Sequence, residues 1–413
     1  MLSTLLLLAA ASMLAATVPS THAGPCRGTA WREAWAAAPS DAQPTYSDQS
    51  LRLVLTPRRS GDVARVRLSN RFGTRPIAFG SVFIGQQRSG ADLIPGSNER
   101  VRFKGRRRVT IPAGQETLSD PVPISFRAFQ HVAVSVYVAA PGGPATEHFL
   151  AEETSFVSAS GSGDLTADEA ATGYSTTTPA RPFVTGLETR APRTDGVVVA
   201  VGDSITDGAG SAVDEDTRYP DFLARRLEHR PGGVSFSVLN EGIGGNRILR
   251  GGLTPIFGPS LLRRLHADVV TRPGITTVIV LEGINDLGQP PPASARDVIG
   301  GLRRVVHRLE RRRGGGRRHL DVLVGTLTPS RRAGGAYGTA ETNAKRHEIN
   351  RFIRRSGIGD GYVDFARAVR DPVHQGRLAA RYDSGDHLHP NAAGYRRMAR
   401  TVTLSALRGP RCG

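Results

Sequence analysis

The chain has almost no lysine. Lys104 and Lys345 are the only two among its 54 basic residues, and the rest are arginine. The formal net charge is +17, a balance that can mark nucleic acid, an anionic surface or an acidic polymer as a partner. No zinc-finger spacing, RNA-recognition signature or basic-zipper pattern accompanies it, so the arginines read as a solvated basic surface and no nucleic acid is expected. Cysteine is as scarce, with Cys26 and Cys412 near the two ends, which excludes a disulfide-rich scaffold or a cysteine metal cluster. Long apolar runs are missing after the first 23 residues, and nothing there approaches the ~20 residues needed to cross a bilayer. Across 413 residues, 39% hydrophobic and 22% charged composition is that of an ordinary globular protein, and the length suits two domains.

The exception is the start, "MLSTLLLLAAASMLAATVPSTHA", residues 1–23. It carries no charged side chain, has a Leu/Ala run, and ends in Thr-His-Ala, a small-x-small cleavage pattern after Ala23. The usual basic start is absent. The reading is a secretory signal peptide over 1–23, hence a secreted protein with no stable membrane insertion after cleavage. Export makes a disulfide between Cys26 and Cys412 plausible, since an even cysteine count suits an oxidising compartment.

Residues 51–157 read as β structure. "VARVRLSN", "IAFGSVFIG", "RVTIPAG" and "HVAVSVYVAA" are short, β-branched and partly alternating, with turn residues between them. They predict a β-sandwich or jelly-roll-like accessory domain over 24–157. The Ser/Thr/Gly-rich stretch 158–193 reads as a linker. From 194 to 413 strand-like runs ("VVVAV", "FSVLN", "TTVIVLEG", "DVLVGTL", "GYVDF") alternate with helical segments near 218–229, 259–271, 293–311, 340–355 and 391–406. Such alternation predicts a three-layer α/β/α domain on a five-stranded parallel sheet. Within the basic segment 302–320, Leu302, Val305, Val306 and Leu309 make a stripe toward the sheet.

Ligands of open α/β sheets bind beyond the carboxyl ends of the strands. There the chain places Gly202-Asp203-Ser204, then "NEGIGGNR" (240–247), then "EGIND" (282–286), and "GDHLHPNAAGY" (385–395) before the last helix. A serine hydroxyl becomes a nucleophile when an imidazole can take its proton, and the imidazole needs a carboxylate to orient it. Asp386 and His389 make such a pair on one loop, with His387 as the competing base. Glycine-loop N–H groups and the Asn285 amide are donors of the kind an oxyanion needs. A phosphate cradle is disfavoured because neither G-x-G-x-x-G nor a Gly-Lys-Ser/Thr ending is present. The G-x-S-x-G elbow fails because Thr206 stands where its second glycine belongs. Asp203, Glu282 and Asp286 read as hydrogen-bonding supports, the acidic "DEDTR" (214–218) as a solvated loop and helix start, and Arg247 as a surface arginine.

These four blocks, in this order over residues 196–407, resemble the SGNH hydrolases, the GDSL-type esterases and lipases. The resemblance implies Ser204 as nucleophile, His389 as general base and then acid, and Asp386 as its orienter, with Ser204, Gly245 and Asn285 forming the oxyanion hole. It also implies a flavodoxin-like catalytic domain and a serine esterase acting through an acyl-serine intermediate, with no metal or cofactor. A small-molecule or polysaccharide ester is the implied substrate. No lid-like apolar segment is evident near the blocks, which points to short acyl chains, in the carbohydrate-linked manner of relatives with a jelly-roll partner. The alternatives are a lipase or lysophospholipase of the same superfamily, and a non-catalytic protein binding a cell-wall polymer or polyanion.

Overall fold

The run Val197–Val201 is apolar without alternation, and a strand of that kind is stable only when both faces are covered. In the computed structural model, which describes residues 27–228, 230, 234–311 and 320–410, these five residues have no exposed surface. The expected leader, Cys26 and Cys412 lie outside the described residues. The strand Gly196–Gly202 is an interior strand of a five-stranded, all-parallel sheet. Phe236–Gly242 pairs on one side, and Ile275–Leu281, Asp321–Gly325 and Gly361–Val363 follow on the other. The order second-first-third-fourth-fifth puts the switch point beside the first strand, where Ser204 follows directly.

Helices Tyr219–Glu228 and Ala392–Thr401 pack together, as do Ala295–Glu310 and Ala340–Arg355. Right-handed crossovers in this strand order put the two pairs on opposite faces of the sheet. Ala295–Glu310 begins at a reciprocal capping box between Ser294 and Asp297 and buries Leu302, Val305, Val306 and Leu309, the stripe expected from sequence. The helix expected over 259–271 is shorter, Leu261–Leu265, and widens into a five-residue π turn through Val270.

The N-terminal part is an antiparallel sandwich. One sheet runs Thr29–Ala36, Val184–Pro192, Gly61–Ser69, Val122–Phe126. The other is built on Gln49–Leu55, Val132–Val138 and Ile77–Ser89. Leu51, Leu53, Phe79 and Val134 of one sheet meet Val66, Leu68, Val122 and Leu187 of the other in a single buried cluster. The stretch 158–193 is therefore not a linker throughout. Thr176–Thr178 pairs with Ser155–Val157, and Val184–Pro192 is an interior strand whose Glu188 is buried between Arg65 and Arg67. The one buried charge of that strand is thus neutralised across the sheet.

The two parts are joined by buried ion pairs. Arg58 meets Asp216 at 2.8 Å and Asp221 at 2.5 Å, and Arg71 meets Asp268 at 2.8 Å. Within the acidic stretch 214–218, Asp214 and Glu215 are exposed as expected of a solvated loop, but Asp216 belongs to this interface. Arg272 lies 3.6 Å from Glu33 of the β domain and 3.3 Å from Glu241. Burial pushes the Glu33 carboxyl up from 4.5 to about 7 although Arg272 opposes the rise. A carboxyl raised on folding contributes stability that is complete below its unfolded value and is lost as pH rises through about 7. Glu33→Gln, which cannot ionise, is expected to gain on the wild type in thermal midpoint between about pH 5 and about pH 8. Melting curves that keep a constant offset across that range would remove Glu33 as the titrating group.

Candidate active site

Ser204 opens a one-turn helix, Ser204–Asp207, directly after the first strand of the parallel sheet. Asp203 caps that turn by accepting from the Ile205 N–H at 3.0 Å. As the first helical residue, Ser204 has a backbone N–H with no intrahelical acceptor. Tight packing enforces the turn: a side chain on Gly202 would come within 2.2 Å of both the Leu281 carbonyl and Thr206 Oγ1.

The loop before the last helix brings His389 to this hydroxyl. Ser204 Oγ lies 2.8 Å from His389 Nε2, and His389 Nδ1 lies 2.5 Å from Asp386 Oδ2. The other carboxylate oxygen of Asp386 accepts from the N–H groups of Leu388 and His389 and from Ser384 Oγ. Partial burial works against ionisation of Asp386, but these hydrogen bonds outweigh it and hold the carboxyl well below its usual range. His387, the competing base, has its own carboxylate, with Nδ1 at 2.5 Å from Asp383 Oδ2. Its left-handed backbone, φ 65°, separates it from the path of His389.

The glycine loop expected to receive the oxyanion is equally constrained. Gly245 has φ 70°, and a Cβ there would lie 2.4 Å from the Phe257 ring, so both conformation and space demand glycine. The Gly245 carbonyl accepts from Gln289 Nε2 at 2.8 Å. Asn285 Nδ2 donates to the Asn246 carbonyl at 2.9 Å while its Oδ1 accepts from the Tyr337 hydroxyl at 2.7 Å. Those two partners fix which end of the amide is nitrogen and leave its second N–H on the cleft. Asn246 is held by Arg264 Nε and donates to the carbonyls of Phe257 and Pro259.

Of the three acidic supports, Asp203 and Asp286 act as expected, Asp286 accepting from the N–H groups of Ile248 and Leu249. Glu282 does not: it is buried, its carboxyl oxygens find no hydrogen-bond donor, and burial beside Asp203 pushes it well up. Arg247 is not a surface residue. It is 6% exposed and donates to the carbonyls of Gly251 and Pro290, stapling the loop after Gly245.

A cleft of about 490 Å³ opens above Ser204 and His389. Its lining is mostly apolar and includes Ile256, Phe257 and Leu388 of the α/β domain, and also Ser40, His148, Phe149 and Leu150 of the β domain. Sequence reading missed that second group, and also missed Tyr337 and Gln289. Nothing in "TEHFL" (146–150) distinguishes it locally from any other strand end. Asp207 lies three residues beyond the Ser block, but its partners come from two distant segments.

A hydroxyl, an imidazole and a carboxylate in hydrogen-bonded line, at the carboxyl end of a parallel sheet beside oriented amides, define the class of serine hydrolases. Residues 200–397 match the GDSL-like Lipase/Acylhydrolase family, which identifies this segment as a domain of the SGNH hydrolase type, acting on ester bonds. Among solved structures, the chain is similar to a carbohydrate acetylesterase family member from Sinorhizobium meliloti, at 19% identity over 50% of this chain and 94% of that one, TM-score 0.40. It is also similar to the aryl esterase of M. smegmatis, at 18% identity over 51% and 99%, TM-score 0.41. A GDSL-like lipase from Bacteroides thetaiotaomicron is similar at 15% identity over 52% and 88%, TM-score 0.37. No curated protein matches the chain.

Proposed function

We propose that the protein is an exported serine esterase that cleaves acyl esters through an acyl-serine intermediate. The observation that carries this reading is the unbroken line from Ser204 Oγ through His389 to Asp386. Ser204 Oγ attacks the ester carbonyl carbon as His389 Nε2 takes its proton, and Asp386 stabilises the resulting imidazolium. The carbonyl oxygen, now an anion, is received by the N–H groups of Ser204 and Gly245 and by Asn285 Nδ2. His389 returns the proton to the departing alcohol oxygen, and water, activated by the same imidazole, releases the acid.

Carbohydrate-linked acyl esters remain within this reading through their polar alcohol. The apolar lining of the cleft supports acyl groups longer than acetyl, which favours the lipase-like alternative over the short chains expected from sequence.

Incubating the full chain with a fluorophosphonate and mapping the adduct by peptide mass is the direct test. One adduct, on Ser204, is the expected result, together with turnover of p-nitrophenyl esters; a protein that is neither labelled nor active defeats the proposal. Export predicts recovery from the culture medium with the first 23 residues removed, and retention in the cells would count against it. Asn285→Ala is expected to lower kcat by on the order of 10²–10³ with KM much less affected, the signature of a group that binds the transition state. A loss confined to KM would take Asn285 out of the oxyanion hole.

A further inference from the structure

The β domain reaches the cleft through three consecutive residues, His148, Phe149 and Leu150. His148 is buried, and each ring nitrogen faces only oxygen acceptors. Nδ1 lies 2.8 Å from the Ala38 carbonyl, and Nε2 lies 2.9 Å from the Leu150 carbonyl and 3.1 Å from Asp207 Oδ1. Carbonyls only accept, so both nitrogens carry protons and the ring is an imidazolium paired with Asp207. Burial disfavours that charge, but Asp207 and the two carbonyls outweigh the penalty and raise the ring's pKa. The other oxygen of Asp207 accepts from the Gly244 N–H at 2.9 Å, next to Gly245. The segment is thereby fastened to the oxyanion loop through one carboxylate.

The two residues that follow are apolar and uncovered. Seven large apolar side chains are exposed among the described residues, and three of them, Phe149, Leu150 and Leu253, line this one cleft at 42%, 37% and 51% exposure. Scattered apolar residues need no explanation, but a cluster at the mouth of a reactive site marks a ligand surface. Its position identifies which part of the ester it meets. His389 must protonate the departing alcohol, so the alcohol lies toward His389 and Leu388. The Phe149 N–H donates to Ser40 Oγ, and the Ser40 backbone lies against Gly258, beside Phe257 on the oxyanion side. That is the side left for the acyl chain.

We infer that Phe149 and Leu150 of the β domain, with Leu253 and Phe257, form the wall of an acyl subsite and set the enzyme's preference for apolar acyl chains of several carbons. This rests on the esterase reading above. His148 is the anchor that holds the wall in register with the oxyanion loop.

The test is the double variant Phe149→Ser/Leu150→Ser in the full chain, both sites being exposed enough to spare the fold, with an unchanged melting temperature as control. The ratio of kcat/KM for p-nitrophenyl octanoate to that for p-nitrophenyl acetate is expected to fall roughly tenfold or more, the scale on which apolar pockets discriminate chain length. A ratio that does not move overturns the inference. Decanoate binding to the Ser204→Ala protein, measured by calorimetry with and without the two serines, gives a readout independent of turnover. Weaker binding in the serine variant sustains the acyl wall even if no ester is cleaved, and equal binding refutes it even if the protein proves an active esterase.

Discussion

Ser204→Ala is expected to lower kcat on any ester the protein cleaves by about 10⁴-fold or more, leaving KM nearly unchanged. Among the described residues, the hydroxyl is the one side-chain group hydrogen-bonded to His389 Nε2, and alanine removes it without disturbing the Asp203 cap or the strand before it. His389→Ala should cost about as much, because an unactivated hydroxyl is nearly as inert as none. The double variant should then be no worse than either single one, since groups that act as a unit are lost as a unit. Steady-state kinetics on a p-nitrophenyl ester read all three proteins. Losses that multiply in the double variant would mean the two residues act separately, and residual activity in Ser204→Ala within about tenfold of wild type would discard the nucleophile.

The second large effect is on stability. Arg264 has no exposed side-chain surface, yet it donates to the carbonyls of Gly202 and Glu241, to Asn246 Oδ1 and to Asp268 Oδ2, all between 2.8 and 3.0 Å. It thus joins the ends of two neighbouring strands to the oxyanion loop. Arg264→Met keeps the bulk of the stem but leaves four buried acceptors without this donor. The expected loss is about 3–5 kcal/mol, the cost of breaking a buried ionic cluster from one side. Arg264→Lys should recover little, because one ammonium cannot span the planar fork's acceptors. Urea denaturation followed by circular dichroism measures both variants. A Met variant within about 1 kcal/mol of wild type would mean that the cluster is balanced by its own desolvation.

Much of the catalytic half was legible in the sequence, for a physical reason. A parallel strand buried on both faces must be a short apolar run, and the residues just after it line the site. Ser204 and Asn285 could therefore be proposed by position as well as by type, whereas Gly245 was singled out from its loop only by the family resemblance. Asp386 and His389 were legible because the pair is local. The β domain was harder. Val184–Pro192 fell within the stretch read as a linker from its Ser, Thr and Gly content, but it is an interior strand whose Glu188 is satisfied by two arginines from a strand some 120 residues earlier. Such a pairing leaves no periodic trace. The same holds for His148 and Asp207, 59 residues apart, and for Tyr337 on Asn285, 52 apart. Apolar residues at a cleft mouth look like any other exposed leucine until the fold gathers them.

The pairing of Thr29 with Pro192 has a consequence for how the protein is made. The strand Thr29–Ala36 takes its backbone partners from Val184–Pro192, which in turn lies between it and Gly61–Ser69. A chain that emerges N-terminus first must therefore hold its first strand unpaired until some 150 further residues have followed it, a long loop to close and a slow one. When Val184–Pro192 arrives, the sandwich closes, and the next strand to appear, Gly196–Gly202, is the one that leads to Ser204. The β domain's share of the cleft wall, Phe149 and Leu150, is thus in place before the machinery that it serves begins to appear.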